Sequence, residues 1–122
     1  MIVGPAPKRI LICGGRDYTD YEALSAWLDQ FSGETPITVV IHGGALGADS
    51  MAERWAQTRG VAVLRFDADW QKHGRAAGPI RNKQMLDEGK PDLVLAFPGG
   101  RGTANMIEQS KARGVPVILA NQ

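Results

Sequence analysis

Residues 96–103 read AFPGGRGT. An apolar run over residues 93–97 leads into this stretch, and a helix-period pattern over residues 103–113 leads out of it. Three glycines, an arginine and a threonine therefore stand where a strand hands over to a helix. Glycine there permits a positive φ and lets a ligand come close to the backbone. Successive backbone N–H groups form a concave nest for an anion. The helix N-terminus behind them adds donors and partial positive charge. The stretch predicts a strand–loop–helix unit that holds an anion.

The same unit recurs along the chain. Apolar, β-branched runs predict strands over residues 9–13, 38–41, 61–66, 93–97 and 115–119. Between them, Leu24, Trp27, Leu28 and Phe31 recur at helical spacing, as do Ala48, Ala52, Trp55 and Ala56. A long polar loop precedes a third helix over residues 79–88, with Pro79 at its start, and the helix over residues 103–113 is the fourth. Thr19 with Glu22 and Ser50 with Glu53 fit capping boxes, and Gly60, Gly89 and Gly114 fall where helices should stop. Short apolar strands alternating with helices imply a parallel sheet covered on both faces. The expected fold is α/β: a Rossmann-like three-layer α/β/α sandwich whose five-stranded, mainly parallel sheet runs in the order 3-2-1-4-5.

The chain has 122 residues, which predicts a single domain over residues 1–122. A net charge of +1 supplies no bulk field for nucleic acid or membrane. Cys13 is the one cysteine, so an internal disulfide and a cysteine zinc site are excluded, and it reads as a small core residue. No apolar run approaches membrane-spanning length, and the first residues lack the apolar stretch of a signal peptide. A cytoplasmic location without membrane association is expected.

The connections are asymmetric. Helix-to-strand links are short, whereas GGRDYTD, HGGALGADS, DADWQKHGRAAGP and PGGRGT all leave the carboxyl ends of strands. Ten of the 15 glycines lie in these four loops, which marks that rim as the ligand side of the sheet. The expected strand order sets Gly14, Gly15 and Arg16 beside Pro98, Gly99, Gly100, Arg101, Gly102 and Thr103, at the switch point. Gly43 and Gly44 provide a third glycine pair. Arg81 and Lys83 fall in the first turns of a helix begun at Pro79, and Arg101 just before another. Cations at a helix N-terminus are unfavourable unless an anion offsets them. Arg16 and Arg75 share the rim, and the arginine fork suits phosphate. Trp70, Tyr18 and Phe97 are candidates to stack on a base, a residue such as Phe97 being more often just the last core residue of its strand. There is no GxGxxG after the first strand and no GxxxxGK[ST], so neither a dinucleotide fingerprint nor a P-loop is present. His42 and His73 lack metal-ligand spacing, and no metal or cofactor is expected. His42 ends a strand at the rim, as either a ligand contact or a hydrogen-bonded structural residue. Ser50 and Thr103 read as caps.

PGGRGT after an apolar strand, with IRNKQM upstream, resembles the LOG-type, lysine decarboxylase-like phosphoribohydrolases. Those enzymes carry PGGxGTxxE and an upstream Arg-Lys-x-x-Met segment. GGRDYTD, HGGALGADSMAERWA and ADWQKHGRAAGPIRNKQM more closely resemble the YspA/YpsA-related branch of the same SLOG superfamily. GGALGADSMA is also similar to a strand–loop of DprA, a relative that binds single-stranded DNA. The resemblance covers residues 10–117. It implies a Rossmann-like fold that binds nucleotides or nucleotide-derived ligands, with ADP-ribose-like ligands proposed for this branch, and a homodimer as the common assembly. By position, Gly99, Gly100, Gly102 and Thr103 match the phosphate loop, and Arg81 matches the arginine four residues before the methionine, here Met85.

One departure decides the chemistry. LOG enzymes place glutamate at the ninth position from the motif's proline, where this chain has Met106, preceded by Asn105. Glu108 lies two residues later, rotated by about 200° to the other face of the helix. A thioether is neither a general acid nor a base. The hydrolase reaction therefore does not carry over unless another carboxylate substitutes: Asp17, Asp49, Asp67 and Asp69 lie on or near the rim. Asp49 comes first, with Asp17 and Arg81 as further catalytic candidates; a turn or cap role for Asp49 is the competing reading. The expected function is binding of a nucleotide or nucleotide-derived small molecule through the glycine-rich loops. The alternatives are N-glycosidic hydrolysis of a nucleotide and single-stranded DNA binding, the latter disfavoured by the charge balance.

Overall fold

The computed structural model describes residues 6–120. Residues 1–5, on which the reading of the leader partly rests, and residues 121–122 lie outside the described residues. The central strand β1 (Lys8–Cys13) ends in four consecutive buried residues, because both of its faces are covered. Ile10 and Ile12 point to one face, and Leu11 and Cys13 to the other. β2 (Ile37–His42) and β4 (Leu93–Ala96) flank β1, with β3 (Ala62–Arg65) and β5 (Val117–Leu119) outside them. All four pairings are parallel and the order is β3-β2-β1-β4-β5, as the sequence predicts.

Two helices cover the first face. α1 (Tyr21–Glu34) contributes Leu24 and Leu28, and α2 (Ala48–Arg59) contributes Ala48, Ala52, Trp55 and Ala56. Trp55 is completely buried, a burial worth roughly 1.5–3 kcal/mol for a large side chain, and its Nε1–H donates to Asp29 Oδ1 at 3.0 Å. On the second face, α5 (Arg101–Ala112) and the π turn Met85–Gly89 bury Met106, Met85 and Leu86 against Leu11, Cys13, Val94 and Ala96. Helices therefore change face between β3 and β4, and the order reverses beside β1. That creates a crevice above the carboxyl ends of β1 and β4.

Several local expectations are corrected. The long polar loop contains helix α3 (Trp70–His73) and a 3-10 turn, Gly74–Ala76, before α4 (Ala77–Gln84). Pro79 is thus the third residue of α4, where its missing N–H still costs no intrahelical bond. α1 is capped by Asp20, whose carboxylate accepts from the Ala23 N–H at 3.0 Å, so Thr19 is not the cap. Ser50 lies inside α2 and donates to the Ala45 carbonyl, and the cap residue there is Gly47 at φ 76°. Gly89 ends the π turn, and Lys90 takes the left-handed position at φ 49°. Among the described residues, no helix is long and apolar enough to cross a membrane.

Candidate functional site

The β1–α1 and β4–α5 loops meet above the switch point. The Gly15 N–H donates to the Pro98 carbonyl at 2.8 Å, which fastens the loops together. A Cβ on Gly99 would lie 2.6 Å from the Gly15 nitrogen, so only glycine permits this approach. Between the loops lies a cleft of about 600 Å³. Gly15, Arg16, Asp17, Tyr18, Pro98, Gly99 and Gly100 line it, with Thr19 and Asp20 at one end. Arg16 and Asp17 are exposed, whereas the Tyr18 ring packs on Phe97 with centroids 5.4 Å apart.

The two helices that begin here differ at their N-termini. In α1, Asp20 satisfies an orphan N–H with its own carboxylate. In α5, the cap position is Gly100, no side chain caps it, and the first turn has no acidic residue. The first backbone bond of α5 runs from Ala104 N–H to the Gly100 carbonyl, at 3.0 Å. The N–H groups of Arg101, Gly102 and Thr103 thus precede the intrahelical ladder. Thr103, 8% exposed, holds its hydroxyl against Gly99. Thr103 is the third residue of α5, so it is not the cap.

The β2–α2 loop is folded from below by buried polar groups. Asp49, 6% exposed, accepts from the Gly43 and Ala45 N–H groups, both at 3.2 Å. Desolvation raises its carboxyl pKa against the opposing pull of those bonds, of His42 and of Arg81. His42 is 1% exposed; its Nδ1 accepts from the Gly44 N–H at 3.0 Å, which leaves Nε2 to donate to Glu53 Oε1 at 2.8 Å. Both ring nitrogens are occupied, so His42 is a structural residue of this turn. Arg81 donates to the Gly43 carbonyl and, through Nε, to Asn82 Oδ1 at 3.0 Å. Burial pulls its guanidinium below its ordinary pKa.

Arg81 and Lys83 lie in the last turn of α4, not its first, because the helix begins at Ala77. The expectation of uncompensated cations at a helix N-terminus therefore fails for both. Lys83 instead pairs with Asp87 at 2.7 Å, four residues on. It holds for Arg101, the exposed first residue of α5. Gly43 and Gly44 on the β2–α2 loop, Asp49 in the first turn of α2 and Arg81 on α4 lie outside the cleft lining; Trp70, the first residue of α3, and Arg75, in the 3-10 turn, are exposed. Asp67 pairs with Arg65 at 2.8 Å, above Gly44, and Asp69 caps α3. Met106 is 1% exposed within the core, and Glu108 is exposed.

Sequence reasoning missed an amide network. The buried Asn82 donates to the Gly102 carbonyl at 3.2 Å and to Asn105 Oδ1 at 3.0 Å, and Gln109 donates to the same oxygen at 2.7 Å. It ties α4 to the first turn of α5 and sets that turn's position. The spacing of Asn105 and Gln109 by one helical turn was its only signal in the sequence.

Residues 8–73 match the family described as YAcAr: YspA, cpYpsA-related SLOG family. The chain belongs to this family. The SLOG match takes in the β1–α1 and β2–α2 loops and ends before the β4–α5 loop. The chain is 39% identical over 119 residues to the Gene 61 protein of Mycobacterium phage D29, covering 91% of this chain and 94% of that protein. It is also similar to the crystal structure of glycinamide ribonucleotide transformylase 1 from Symbiobacterium toebii, with a TM-score of 0.48 and 22% identity. That likeness covers 78% of this chain, which spans 43% of the transformylase.

Proposed function

We propose that the protein binds a nucleotide or nucleotide-derived ligand, such as a nucleoside phosphate or an ADP-ribose-like molecule, with its phosphate in the cleft. One observation carries this reading: the N-terminus of α5 is uncapped and opens beside a cleft walled by Gly15, Gly99 and Gly100. An anion there meets unpaired N–H groups and the positive end of the helix. The Thr103 hydroxyl is a further donor, and the exposed Arg16, in the cleft lining, and Arg101, at the start of α5, supply countercharge. Binding without LOG-type turnover follows from Met106, which leaves the motif's carboxylate position inside the core.

The test mixes excess protein with nucleoside monophosphates, ADP-ribose, NAD and cyclic dinucleotides, followed by filtration and mass spectrometry of the retained species. An intact retained nucleotide is expected. Its affinity should fall by about tenfold in Arg101→Ala, the equivalent of about 1.4 kcal/mol. No retained nucleotide, or unchanged affinity in both Arg101→Ala and Arg16→Ala, would remove the reading.

Hydrolysis of an N-glycosidic bond is the second reading, favoured by the exposed carboxylate of Asp17 in the cleft lining. It predicts free base and ribose phosphate in the same experiment, and loss of both products with retained binding in Asp17→Asn. Asp49 is a poor substitute acid, because both its hydrogen bonds and its burial commit it to the turn.

A further inference from the structure

A second hollow, of about 260 Å³, adjoins the cleft, and Tyr18 lines both. Ala23, Ala26, Trp27 and Gln30 form one wall, at the i, i+3, i+4 and i+7 spacing of a single α1 face. Phe97 forms another. The two alanines leave the space, and the aromatic side chains bound it. Each ring is held by another: Trp27 stacks along Phe31 with centroids 6.3 Å apart and planes inclined by 22°, and Tyr18 packs on Phe97. Gln30 is exposed and brings a carboxamide, both donor and acceptor.

We infer that this hollow seats the base of the ligand, with Tyr18 between base and phosphate. The inference rests on the anion-binding reading of the cleft. Size supports a ring rather than a whole ligand: drug-sized molecules fill roughly 300–1,000 Å³, and this hollow is smaller than that. Lining supports a planar heteroaromatic over an aliphatic chain. Preset aromatic rings offer stacking to any base, and the single amide addresses a polar ring edge. Continuity supports a nucleotide, since one molecule reaching across Tyr18 presents phosphate on one side and base on the other. Trp70 is thereby displaced as the stacking residue; it is 60% exposed and lines neither cavity.

The test measures calorimetric affinities for the four nucleoside 5′-monophosphates and for ribose 5-phosphate. The proteins are wild type, Ala26→Phe and Gln30→Ala. Ala26 is exposed on α1, so a phenyl ring there fills the hollow without entering the core; thermal melts confirm the fold. Ala26→Phe should weaken the preferred monophosphate at least about tenfold and leave ribose 5-phosphate within about twofold. Gln30→Ala should narrow the preference among the four bases. The inference is overturned if Ala26→Phe leaves nucleotide affinity unchanged while ribose 5-phosphate still binds; the anion site would then stand alone. Equal weakening of both ligands also overturns it. If neither phosphate compound binds the wild-type protein, the cleft reading itself fails and this inference with it.

Discussion

Restoring the motif's glutamate with Met106→Glu should cost stability rather than create a hydrolase. Met106 is 1% exposed and packs in the hydrophobic cluster of Leu11, Cys13, Ile41, Val94 and Ala96. A carboxyl group buried among apolar side chains has its pKa raised by up to 3–5 units. At 1.36 kcal/mol per unit, ionisation costs about 4–7 kcal/mol, against a total stability of about 5–15 kcal/mol. The folded pKa lies above the unfolded value of about 4.3, so the variant is least disadvantaged at low pH. Its stability relative to wild type then falls by about 1.4 kcal/mol per pH unit as pH rises, and levels off above the folded pKa. Between pH 5 and 7 the deficit should grow by about 2.7 kcal/mol. Urea unfolding of wild type, Met106→Glu and Met106→Gln at pH 5, 6, 7 and 8 reads this directly. The neutral Gln variant should show a deficit that does not change with pH. A Glu variant as stable as wild type at pH 8, or one that releases free base from a nucleotide, would refute the placement of Met106 in the core.

Further outcomes test other parts of the site. Gly99→Ala should lower stability by about 1–3 kcal/mol in denaturant melts, because its Cβ meets the backbone of Gly15 and Gly14. Gly100→Ala meets nothing within 4 Å and should stay within about 1 kcal/mol of wild type. The raised pKa of Asp49 means that its ionisation weakens the fold as pH rises above its unfolded value of 3.8. The stability of Asp49→Asn relative to wild type should therefore increase from pH 3.5 towards neutrality, read from urea midpoints. Burial pushes the Cys13 thiol up to about 12, so iodoacetamide at pH 8 should label it only on the unfolding timescale.

Much of the fold was legible because its signals are local. Continuous apolar runs such as that of β1 mark strands covered on both faces, and Leu24 and Leu28 one turn apart mark the buried side of α1. With right-handed crossovers, that pattern leads to the order β3-β2-β1-β4-β5 and to the facing of GGRDYTD and PGGRGT. The absence of a carboxylate at Met106 was legible too, since it is a matter of identity and helical phase. Other features depend on contacts between segments far apart in the chain. Arg81 read as a phosphate ligand because its neighbourhood suggested a helix beginning at Pro79; the backbone instead turns helical from Ala77 and points the guanidinium under Gly43. Asp49 and His42 carry catalytic residue types, and only tertiary structure shows that Asp49 Oδ2 accepts from two N–H groups of the β2–α2 turn and that both His42 ring nitrogens are engaged, by Gly44 and by Glu53 of α2. Spacing along a chain reports which face a residue occupies. Whether a polar side chain on that face is satisfied, buried or available depends on what the rest of the fold brings against it.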